Sequence, residues 1–157
     1  DIQADTVNKV AGRQSVKLTK AAQWGDDWWY YIGVYSGGAQ CPWRVSSQWN
    51  LHAFVRIQSG LENMSRYIEI KDAQGNILRY DAAALLAHDS QTFTELNLKL
   101  SDFTDTSDGA FDFSQVTKVL LRFNSPGCTP TIWVDDFYLW TQPPAPPSEA
   151  RQWSLYH

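Results

Sequence analysis

Three groupings of residues in this chain could carry chemistry. The first is a pair of neighbouring carboxylates, met twice, as Asp26 with Asp27 and Asp135 with Asp136. Cleavage of a glycosidic bond needs two carboxylates flanking the bond, about 5 Å apart in retaining enzymes and about 6.5–9.5 Å apart in inverting ones. Asp26 and Asp27 are neighbours on a loop-like stretch and in extended chain point to opposite sides, so they do not meet that need, and Glu69 stands alone on its strand. The second grouping is His52 with Arg56, a base and a cation on one strand face, the minimum an elimination reaction would ask. A single histidine on a strand is more often simply hydrogen-bonded. No Ser-His-Asp spacing and no phosphate-cradling glycine loop occurs.

The third grouping is the stretch WGDDWWYYIGVY, residues 24–35, dense in Trp and Tyr. Read as a strand it has two faces: Trp28, Tyr30, Ile32 and Val34 on one, Trp29, Tyr31, Gly33 and Tyr35 on the other. Ile32 and Val34 mark the first as the core face. The second is then an aromatic strip with a shallow gap at Gly33, directed outward. Pyranose rings expose patches of C–H groups that stack on indole and phenol faces, and their hydroxyls need polar side chains beside those rings. The pattern of the other strands places Arg56, Gln58, Glu69, Arg122, Asn124 and Trp133 outward as well.

The elements that would position these groups are strands. Period-two alternation puts Val16 and Leu18 inward in SVKLT, and Leu51, Ala53, Val55 and Ile57 inward in LHAFVRIQ. It does the same for Ile68 and Ile70, for Leu96, Leu98 and Leu100, and for Val119, Leu121 and Phe123. TIWVDDFYLW adds Ile132 and Val134, then Phe137 and Leu139. Turn residues separate the strands at DAQGN, TSDGAF and NSPG. Only DAAALLAHD, residues 81–89, has helical composition, enough for one or two turns. Many short strands at this spacing predict an all-β protein, an antiparallel β-sandwich of jelly-roll type with one short helical turn. At TQPPAPPSEA the composition changes, so the sandwich should span residues 1–140 and a Pro-rich linker or tail residues 141–157.

Bulk properties agree with one globular domain: 157 residues, 43% apolar and 19% charged. A net charge of −4 argues against nucleic acid and anionic membranes as partners. The opening DIQADTVNKV has neither the basic start nor the apolar segment of a signal peptide, and the chain reads as a piece of a longer protein. Cys41 and Cys128 both lie in loop-like sequence and fit no zinc or redox spacing. They are either small buried side chains or a disulfide. A disulfide suits two loop cysteines better and implies an extracellular, secreted protein.

TIWVDDFYLW resembles the last strand of calcium-containing jelly-roll carbohydrate-binding modules. TFTELNLKLSDF followed by FDFSQVTKVLLRF, AGRQSVKLT and YIEIKDAQGN resemble further segments of that galactose-binding-like superfamily, in character nearest to carbohydrate-binding module family 11. The likeness covers residues 11–140. It implies a ligand across the concave sheet, with Trp133 at the last-strand aromatic position and Arg122 and Asn124 on a concave-face strand. It also implies a structural calcium ion held by Asp135 or Asp136, with Asp5 as the acid near the amino terminus.

The sequence therefore predicts a monomeric, non-catalytic module that binds a polysaccharide and is covalently linked to a catalytic domain. Its expected carbohydrate-binding residues are Trp29, Tyr31, Tyr35, Arg56, Arg122, Asn124 and Trp133. The acidic chain favours a neutral β-glycan; the alternative is an acidic polysaccharide recognised by Arg56 and Arg122. A small jelly-roll hydrolase or lyase and a protein-interaction domain of the same fold are the readings from other classes. Should the strands not hold the ligand, loops at the sandwich edge with Trp24, Trp43 and Asp26 are the fallback.

Overall fold

The computed structural model describes residues 2–10, 12, 14–19, 29–124 and 126–141. Trp24, Asp26, Asp27, Trp28 and the Pro-rich segment from residue 142 lie outside the described residues. The alternating segments form ten strands: β1 (Ile2–Asp5), β2 (Ser15–Thr19), β3 (Tyr30–Tyr35), β4 (Asn50–Gln58), β5 (Ser65–Asp72), β6 (Ile77–Asp81), β7 (Thr94–Lys99), β8 (Thr104–Asp105), β9 (Val116–Asn124) and β10 (Thr131–Trp140). They pair antiparallel into two five-stranded sheets, ordered β1-β2-β10-β4-β7 and β3-β9-β5-β6-β8. The expected sandwich is the observed fold.

Its core lies largely where alternation places it, but Val16 and Val34, both expected inward, are 40% and 38% exposed, and on β2 Ser15 and Leu18 are the buried residues. Leu51, Ala53, Val55, Ile57, Leu96, Leu98, Ile132 and Val134 of the first sheet meet Ile32, Ile68, Ile70, Val119, Leu121 and Phe123 of the second. Each of these is withdrawn from water, and burial on this scale is the main term holding the sheets together. On β10 the phase changes at a bulge between Asp135 and Tyr138, with Asp136 at φ 48°. An extra residue there returns Phe137 and Leu139 to the core side after Ile132 and Val134. Asp is among the few residues that accept this left-handed backbone at modest cost.

Residues 81–89 close the single turn that their composition predicts, with the Leu86 amide donating to the Ala82 carbonyl at 2.9 Å. Short 3-10 segments lie at Leu100–Asp102 and Phe113–Gln115. One expectation needs correction: there is no bridge between Cys41 and Cys128, since Cys41 is an exposed free thiol. The reason is topological. Cys41 follows β3 beside the start of β9, where Tyr35 faces Lys118, whereas Cys128 follows Asn124 at the far end of β9. The strand between those ends spans about 20 Å, against the roughly 7 Å limit between bridged Cα atoms.

Candidate functional site

β3 pairs with β9 without a register shift from Tyr30 to Tyr35, so its two faces stay distinct. Tyr30 is 3% exposed and Ile32 8%, while Tyr31 and Tyr35 are about half exposed, at 48% and 49%. Cross-strand pairing then arranges the outward face of the second sheet in three rows. Tyr31 faces Arg122, which faces Tyr67. Gly33 faces Leu120, which faces Glu69, which faces Arg79. Tyr35 faces Lys118, which faces Lys71. The gap expected at Gly33 is filled from the neighbouring strand. A Cβ there would fall 2.8 Å from the Val119 carbonyl and onto the Leu120 side chain, so only glycine admits β9 this closely.

Trp29, just before β3, stacks on Tyr67 with ring centroids 5.6 Å apart and planes inclined by 22°. The Arg122 guanidinium lies over the Trp29 ring at 4.6 Å, and that of Arg79 over the Tyr67 ring at 4.9 Å. Glu69 sets both arginines. Its carboxylate, fully shielded from solvent, accepts from Arg122 Nη1 at 2.8 Å on each oxygen and from Arg79 Nη2 and Nε at 2.7 and 3.0 Å on Oε1. Lys71 Nζ adds an ion pair at 3.8 Å. Burial alone would raise the Glu69 carboxyl, but the hydrogen bonds from Arg122 and Arg79 outweigh it and hold the group below its usual range. Burial and a hydrogen bond with Tyr31 push the Tyr35 hydroxyl up to about 12, so it stays a neutral donor.

Together these side chains border a groove of about 210 Å³ lined by Trp29, Tyr31, Tyr35, Lys71, Lys118, Leu120 and Arg122. The structure thus brings Trp29, Tyr31, Tyr35 and Arg122 to one place. Asn124 is on the same face, one row beyond Arg122 and opposite Ser65, with its side-chain carbonyl oxygen buried and without a donor. Tyr67, Lys71, Arg79 and Lys118 complete the surface and were not among the expected residues. Strict alternation from Glu69 and Arg122 would have found Tyr67, Lys71 and Lys118.

Arg56 and Trp133 do not join this face: β4 and β10 belong to the other sheet. There Trp133 is 4% exposed, with Arg56 stacked over its ring at 4.6 Å and Lys17 at 5.7 Å. Arg56 also donates to Asn8 Oδ1 and to the Ser90 carbonyl. His52 shares none of these partners; its ring lies against Tyr138 and Phe54, with Glu95 and the Asp136 carbonyl at its nitrogens.

The residues expected to hold calcium cluster near Trp133. Asp5 accepts from the Asn8 and Val7 amides, from Asn8 Nδ2 and from Trp133 Nε1. The Asn8 amide above all, then Trp133, holds this carboxyl far below its usual range. Asp5 is thereby committed to N–H donors. Asp135 accepts from the Val10 and Asp136 amides. Burial, and then the charge of Asp135, raises the Asp136 carboxyl. Among the described residues no three acidic, His or Cys side chains converge as a metal site. Calcium takes six to eight oxygens, so an ion here would need carbonyl oxygens besides these carboxylates.

A cavity of about 530 Å³ opens at the sandwich edge between Val34, Trp43, Trp49, Val119, Phe137 and Leu139. Most of this lining is core that continues outward, and it offers little to hydrogen-bond a polar ligand. Trp43 of the fallback set is here; its companions Trp24 and Asp26 lie outside the described residues.

Comparison with solved structures decides the fold family. A family 30 carbohydrate-binding module superposes with a TM-score of 0.68 at 15% identity, covering 96% of this chain and 79% of that one. The fold is that of the β-sandwich carbohydrate-binding modules. A family 30 module of a cellulosomal cellulase of Clostridium thermocellum gives 0.67 at 14% identity, covering 90% of this chain and 82% of that one. The family 11 module of a cellulosomal cellulase of the same organism gives 0.57 at 11% identity, over 89% of this chain and 79% of that one. The chain matches no protein-family model and no curated protein sequence.

Proposed function

We propose that this chain is a non-catalytic carbohydrate-binding module whose polysaccharide ligand lies in the groove of the second sheet and stacks on Trp29, Tyr31 and Tyr35. The observation that carries the reading is that groove: three aromatic rings and three cationic side chains on one face of a fold shared with carbohydrate-binding modules. Half-exposed rings on paired strands are held in place before any ligand arrives, so little ordering entropy opposes binding. One neighbour of the same fold, a family 11 module, is described in complex with a β-1,3-1,4-mixed-linked tetrasaccharide. The protein would act by holding a linked, secreted catalytic domain against its substrate.

A structural calcium, where bound, would rest on Asp135 and Asp136 with carbonyl oxygens, on the sheet opposite the groove. Ligand contact does not run through it.

Affinity electrophoresis over a panel of soluble polysaccharides tests the reading. At least one should retard the protein, and Tyr31→Ala and Tyr35→Ala should each weaken that retardation about tenfold or more. Melting temperatures should hardly move, because both rings face outward. Retardation unchanged in both variants would remove the groove as the site.

A further inference from the structure

We infer that the groove selects a glycan carrying an anionic substituent, a ring carboxylate or a sulfate ester, and that Lys71 and Lys118 read it. The inference rests on the groove being the ligand site. Lys118 on β9 lies between Tyr35 on β3 and Lys71 on β5, so two ammonium-bearing side chains are cross-strand neighbours on one face. Like charges directly opposite one another weaken a sheet, and such a pair calls for a counter-charge.

The protein supplies little of it. Glu69 faces Lys71 at 3.8 Å, yet it is one carboxylate shared among Lys71, Arg79 and Arg122. Asp72, at the end of β5, is turned to the amides of Gln74, Asn76 and Asp112 and to Asn76 Nδ2. Asp81, across from Tyr67 on β6, accepts from the Ala83 amide. Among the described residues Lys118 makes no ion pair; its ammonium lies 5.6 Å from the centre of the Tyr35 ring. In a chain with net charge −4, the aromatic face is locally cationic.

The shape points the same way. A second hollow, of about 310 Å³, is bordered by Gly38, Ala39, Asp72, Gln74 and Thr117, and it shares Lys71 and Lys118 with the groove. A polymer leaving the rings therefore crosses the lysine pair. The groove's own polar lining consists of ammonium, guanidinium, indole N–H and phenol groups, and no carboxylate side chain is among its lining residues. Donors of this kind suit anionic oxygens, whereas neutral hydroxyls need acceptors in equal measure.

The test is titration of the full chain against polygalacturonate and alginate for carboxylates, κ-carrageenan for sulfate, and mixed-linkage β-glucan and mannan as neutral probes. An anionic probe should bind about tenfold or more tightly than either neutral one. Ionic strength of about 1 M, where charges are screened within roughly 3 Å, should abolish most of that preference. Lys118→Gln should weaken anionic binding about tenfold, and Lys71→Gln likewise, while Lys99→Gln on the opposite sheet leaves it unchanged. Which anionic probe binds separates carboxylate from sulfate. Binding of a neutral glycan that is lost in Tyr31→Ala but indifferent to salt and to Lys118→Gln overturns the anionic reading and leaves the groove standing. Binding of no probe, or binding indifferent to Tyr31→Ala, overturns the groove itself.

Discussion

Removing the Glu69 carboxylate would leave Arg79 and Arg122 side by side on a sheet face with no charge between them. Glu69→Gln is therefore expected to destabilise the fold by about 3 kcal/mol, read by denaturant unfolding, because breaking a buried pair strands its partners. Ligand affinity should fall with it, since Arg122 would lose its hold over Trp29. The acid response has a definite sign. A carboxyl held below its unfolded value contributes stability above about pH 4.3 and loses it as pH falls through the folded value. Wild-type melting temperature should thus drop steeply below about pH 4, and the slope should be shallower in Glu69→Gln; equal slopes would remove Glu69 from the acid limb. Alternation placed Glu69 outward, and so it is. Its burial was not legible, because it comes from arginines on β6 and β9, not from its own strand.

At the scale of elements, the close approach of β3 to β9 depends on Gly33. Gly33→Ala would press its new methyl onto the Val119 carbonyl and the Leu120 side chain, and should cost about 1–3 kcal/mol while loosening the row of Tyr31 and Tyr35. A variant as stable as wild type, with ligand affinity intact, would show that the strands separate without penalty. The phase of β3 was legible in its alternation, and burial bears it out at Tyr30 and Ile32 against exposed Tyr31 and Tyr35, although Val34, the other residue taken to mark the core face, is exposed near the strand's end. The phase change on β10 was legible too, in the step from Ile132 and Val134 to Phe137 and Leu139. Sheet membership was not. Arg56 and Trp133 share outward phase with Arg122, but alternation does not tell which of two sheets a strand joins. The same blindness suggested a bridge between Cys41 and Cys128, which pairing puts at opposite ends of β9. Thiol titration of the denatured, unreduced protein should find two thiols; none would restore the bridge.

For the whole molecule, the two sheets divide the work. The first carries the knot of Asp5, Asn8, Arg56, Trp133 and Asp135, whose hydrogen bonds fasten the amino-terminal strand and its following loop to β4 and β10. The second carries the groove. Chelation should accordingly lower the melting temperature by a few degrees and leave ligand affinity unchanged, if calcium neutralises the crowded pair of Asp135 and Asp136; an unchanged melt would remove the ion from the account. Amide hydrogen exchange with and without the best-binding polysaccharide shows most directly where the ligand lies. Protection should appear in 30–35, 65–72 and 116–124, the strands that carry Tyr31, Tyr67, Lys71, Lys118 and Arg122. Protection confined to 42–49 and 137–139 would place the ligand in the edge cavity and contradict the account.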